Sequence, residues 1–98
     1  DKNGNIATAI ALYKRACDSN EFTSCANLAI IEQRNSKHDN AKLLYAKACD
    51  GGLIEHCHYL GVWAKNDGDH QTARKWFNKS CSGGNNNGCK ELQLLPAE

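Results

Sequence analysis

The apolar residues recur at helical spacing from one end of the chain to the other. Ile6, Ala9, Ile10, Tyr13, Ala16 and Cys17 form one stripe, which predicts a first helix from about Ile6 to Asp18. Residues 1–5, Asp-Lys-Asn-Gly-Asn, carry turn chemistry ahead of it, and Ser19 and Asn20 end it. A second helix is predicted from about Thr23 to Arg34, with Cys25, Leu28, Ala29 and Ile31 inward, followed by a polar turn over Asn35 to Asp39. The third runs from about Asn40 to Cys49 on Ala41, Leu44, Tyr45 and Ala48. The fourth runs from about Ile54 to Lys65 on Cys57, Leu60, Gly61 and Ala64, with Gly61 admitting a close neighbour. The fifth runs from about His70 to Ser80 on Ala73, Trp76 and Phe77. After a glycine- and asparagine-rich stretch at 83–88, the last is predicted from about Cys89 to Leu95, stopped by Pro96. No strand-like alternation is sustained, so the pattern excludes a sheet.

The pattern also repeats every 32 residues without insertion. Ala9, Ala41 and Ala73 share a register, as do Tyr13, Tyr45 and Phe77, and Leu28, Leu60 and Leu92. Gly51-Gly52 and Gly83-Gly84 stand where Ser19-Asn20 stands, and suit a helix end in the left-handed region. The expected architecture is an all-α solenoid of antiparallel helix hairpins, about six helices in one domain, with units near 5–36, 37–68 and 69–98.

Six cysteines join the same register: Cys17 and Cys25, Cys49 and Cys57, Cys81 and Cys89. Six allow 15 pairings, and the repeat favours those three. Each bridge closes a nine-residue loop, with a chain-entropy contribution of roughly 2.5 kcal/mol before any native strain. The alternatives are buried free thiols and a metal, although structural zinc prefers cysteines closer together. Disulfides imply an oxidising compartment, hence a periplasmic or secreted protein.

Charge narrows the function classes. Twelve Lys and Arg against 11 Asp and Glu, all dispersed, leave no basic stripe for nucleic acid, and no apolar run reaches the length of a membrane span. His56-Cys57-His58 has metal-ligand residue types, but neighbours on a helix point about 100° apart and cannot converge. His38 and His70 read as first-turn or packing residues rather than catalytic bases. Trp63 and Trp76 read as packing residues or partner anchors. There is no nucleophile elbow and no phosphate loop, so neither catalytic residues nor a cofactor is expected.

Lys47-Ala48-Cys49, seven residues, Cys57 and then Leu60-Gly61 resemble the motif of the Sel-1-like repeat family, a branch of the tetratricopeptide superfamily, and most closely its Helicobacter-type cysteine-rich members. Arg15-Ala16-Cys17 with Leu28-Ala29, and Lys79-Ser80-Cys81 with Leu92, are weaker copies, so the resemblance spans nearly the whole chain. The 32-residue period is shorter than the family's. The resemblance implies a non-enzymatic protein-binding scaffold, with an immunity-like role against a secreted toxin as one form. It also carries an alternative, weak β-lactam binding or hydrolysis, for which the chain offers no serine–lysine pair.

In such stacks the first helix of each pair lines a concave groove for a protein or peptide partner. Mapping by the Leu60-Gly61 register assigns Glu55, His58, Val62 and Lys65 to that surface, with Ala26, Ile30 and Gln33 before them and Lys90 and Leu94 after. The helix over Ile6–Asp18 lacks a preceding partner, so Ile10 and Tyr13 are expected to be partly exposed. The chain is read as a piece of a longer array, with a partner covering that edge as the alternative.

Overall fold

Five turns that share a residue of positive φ divide this chain into helices. In the computed structural model, which describes residues 2–96, Asn20, Ser36, Gly52, Gly68 and Gly84 all have positive φ and lie 16 residues apart. The helices between them are α1 (Lys2–Asp18), α2 (Phe22–Arg34), α3 (His38–Asp50), α4 (Ile54–Asn66), α5 (His70–Ser82) and α6 (Asn86–Leu94). At four turns the same two backbone bonds close the helix end. After α1 the Asn20 N–H donates to the Cys17 carbonyl and the Glu21 N–H to that of Ala16, both at 2.9 Å. Ser36 and Lys37, Gly68 and Asp69, and Gly84 and Asn85 repeat the arrangement. This is the Schellman closure, whose left-handed residue favours glycine. Three turns supply glycine; Asn20 at φ 69° and Ser36 at φ 63° do not.

The all-α helical-hairpin repeat is therefore the fold, with six helices and no strand among the described residues. Several boundaries differ from expectation. Lys2 to Asn5 are helical rather than a turn: once the next turn of helix exists, each added residue costs little to align and gains a hydrogen bond. Helix α3 begins at His38, two residues before the expected start at Asn40, and α5 runs on to Ser82. Helix α6 begins at Asn86, because the Asn85 side chain accepts the Gly88 N–H at 3.2 Å and caps the first turn; it ends at Leu94.

The chain forms two compact units, Asp1–Gly51 and Gly52–Glu98. In the first, α1 packs on α2 and α2 on α3. Its buried residues include Ala29, Ala41 and Ala48, all fully buried, together with Leu28 and Tyr45, whose hydroxyl donates to Gln33 Oε1 at 3.1 Å. In the second, α4 packs on α5 and α5 on α6. Phe77 is fully buried there and forms a core with Ala64, Ala73 and Leu95, extended by Val62 and Leu92. The third residue of the aromatic column, Tyr13, is only half-buried, as is Ile10.

All six cysteines are bonded and none is free. Cys17 pairs with Cys25 and Cys81 with Cys89, with Cα atoms 4.7 and 4.6 Å apart; Cys49 and Cys57 complete the series. Cys17–Cys25 and Cys81–Cys89 each link the last turn of one helix to the first turns of the next across a Schellman corner. The three bridges point to an oxidising compartment.

Candidate functional site

The first unit carries a cleft of about 360 Å³ lined from all three of its helices. Its apolar lining is Ile10 from α1, Leu28 from α2, and Leu43 and Leu44 from α3. Leu43 is 71 % exposed, the most exposed large hydrophobic residue on the described surface. The α1–α2 turn and the Cys17–Cys25 bridge hold one side of the cleft in place, since Cys17 itself lines it.

Its polar groups are more unusual. Glu32 is only 9 % exposed, yet among the described residues its carboxylate has one hydrogen-bond donor: Asn40 Nδ2, 3.3 Å from Oε2. Glu32 occupies the register position that Ala64 and Pro96 fill in the later repeats. Asn40 lies in the first turn of α3, whose N-cap is Lys37 and has no side-chain cap. The equivalent α5 is capped instead by Asp69, which accepts the Thr72 N–H at 3.1 Å. Lys14 and Asp18 stand on α1 at the mouth of the cleft. Neither Glu32 nor Asn40 was singled out by periodicity. The signal that would have found them is the break in the repeat column, a carboxylate where its counterparts are small and apolar.

The residues assigned to a partner surface by register fall into two groups. Ile30, Glu55, Lys90 and Leu94 are exposed. The others make contacts within the fold. Gln33 accepts from Tyr45, and the His58 ring lies 5.7 Å from that of Phe77. Val62 packs on the Phe77 core, Lys65 Nζ lies 3.3 Å from Glu91 Oε2, and Ala26 is buried. Of the tryptophans, Trp63 meets Tyr59 edge-on at 5.7 Å. Trp76 lies beneath two ammonium groups, Lys75 at 4.9 Å and Lys79 at 5.2 Å from its ring centre. His38 and His70 each occupy the first position of a helix and are exposed. Among the described residues no group of three His, Cys, Asp or Glu side chains is placed to hold a metal, and no helix is long and apolar enough to cross a membrane.

A comparison with protein-family models finds no matching model, and a comparison with curated proteins finds no match. The Sel-1-like resemblance rests on the motif residues of the chain itself.

Proposed function

We propose that this chain is a non-enzymatic scaffold of Sel-1-like type, exported to the periplasm or beyond, that binds a segment of another protein. The observation that carries the reading is the cleft of the first unit. It combines apolar side chains, of which Leu43 is exposed, with one buried carboxylate, Glu32, and the exposed polar groups of Lys14, Asp18 and Asn40. That mixture suits a peptide, whose side chains need apolar contact and whose backbone needs polar partners. Bridges at the helix corners favour the same role, because a preformed surface loses less conformational entropy on binding.

The test is selection of displayed random peptides on the intact, oxidised protein. The expected outcome is one enriched consensus that binds the wild type and loses at least about tenfold in affinity with Leu43→Asp, as loss of a central apolar contact gives. Failure to enrich any sequence, or a consensus indifferent to Leu43→Asp, overturns the assignment of this cleft.

A further inference from the structure

We infer that the cleft of the first unit selects a cationic side chain, lysine or arginine, which docks against the buried carboxylate of Glu32 between the apolar walls. The inference rests on the scaffold reading and deepens it by naming the chemistry of the bound segment.

The first observation is an imbalance at Glu32. A carboxylate offers about four acceptor sites. Buried carboxylates are ordinarily matched by a cation or several donors, because desolvation penalises the charge. Here the 9 %-exposed Glu32 has the neutral Asn40 amide as its hydrogen-bonding partner. No cation pairs with it among the described residues, although Lys14 lines the same cleft.

The second is position. Glu32 is not sealed in the core but lines an open cleft, so its unused acceptor capacity faces an entrance. The walls beside it are Ile10, Leu28 and Leu44, which suit the methylene stem of a long basic side chain. The third is its place in the repeat. Ala64 and Pro96 serve at the same register, so the fold does not require a charge there.

A rival role exists in the same geometry. Glu32 reaches the first turn of α3 through Asn40, and a negative charge near a helix N-terminus is favourable. The experiment separates the two. Two short peptides, acetyl-Leu-Arg-Leu-amide and its analogue with citrulline, the uncharged isostere of arginine, are titrated into the intact oxidised protein and followed by NMR. The arginine peptide is expected to shift the Asn40 side-chain and Leu44 amide signals saturably, and to bind at least about tenfold tighter than the citrulline peptide, as a charge-assisted hydrogen bond gives. Glu32→Gln keeps an acceptor for Asn40 and should abolish that preference, as should Glu32→Ala.

Equal binding of the two peptides, no saturable binding by either, or a preference that survives Glu32→Gln overturns the inference. A variant that melts lower while keeping the preference would assign Glu32 to the α3 N-terminus alone. The scaffold reading fails separately: a displayed-peptide consensus that needs Leu43 but contains no basic residue would retain the scaffold and reject the role of Glu32.

Discussion

The Phe77 ring occupies the space that a side chain at Gly61 would need: a Cβ built there falls onto the ring itself. Phe77 is fully buried and cannot swing aside. In the first unit the same register holds Ala29 and Tyr45, again a small residue and an aromatic, both buried. The fold is spaced by these pairs, and helix α4 accepts a glycine in its interior to keep one of them.

Gly61→Ala is therefore expected to destabilise the protein despite alanine's better helix propensity. Overpacking costs about 1–3 kcal/mol against a propensity gain of about 1 kcal/mol. Phe77→Leu removes the obstruction, so the double variant should be less destabilised than the sum of the singles by about 1 kcal/mol. Urea denaturation of the four proteins measures this, and strict additivity would contradict the contact.

Ser36 is the least suited of the five turn residues. It holds φ 63° with a Cβ, whereas Gly52, Gly68 and Gly84 do not have that burden. Ser36→Gly should raise stability by about 0.5–1 kcal/mol. Asn20→Gly should gain less, since asparagine tolerates this region. Thermal melts of both variants give the ranking.

Ser80 Oγ is buried without a hydrogen-bond partner among the described residues, in a column where Ala16 and Ala48 are its counterparts. Its hydroxyl loses hydration with no return. Ser80→Ala is expected to stabilise by about 1 kcal/mol, the cost of an unsatisfied buried donor. A destabilised Ser80→Ala protein would mean that the hydroxyl has a partner.

Register alone put Val62 and Ile30 on one partner-facing surface, but the structure gives them different jobs. Val62 packs on the Phe77 core, while Ile30 is 38 % exposed. Val62→Asp should cost about 2–3 kcal/mol, and Ile30→Asp should stay within about 0.5 kcal/mol. Chemical denaturation of the two variants distinguishes them.

How much was legible follows from what each signal depends on. The helices, the 32-residue repeat and the cysteine pairs could be read because periodicity and spacing are local. The need for a small residue at Gly61 was visible for the same reason, since a glycine inside an apolar stripe asks for a neighbour. The finer 16-residue spacing of the turns was hidden, because Asn20 and Ser36 disguise two of the five left-handed positions. Gly51 and Gly83 were legible only as helix ends. Their second role, admitting the Phe22 ring and the Ile54 side chain, depends on contacts 29 residues away in sequence. Glu32 was overlooked because it looks like one more charge on a helix until the cleft is assembled around it.

The oxidised state of the six cysteines is the point on which the rigid, exported scaffold depends. Its most direct test is the intact mass of the freshly isolated protein, denatured and treated with a thiol alkylating agent, with and without prior reduction. The account predicts a mass six hydrogen atoms below that of the reduced chain, no alkylation before reduction and six alkyl groups after it, as three disulfides require. Six alkylated thiols before reduction would contradict it, and would remove both the oxidising compartment and the rigidity that the binding role draws on.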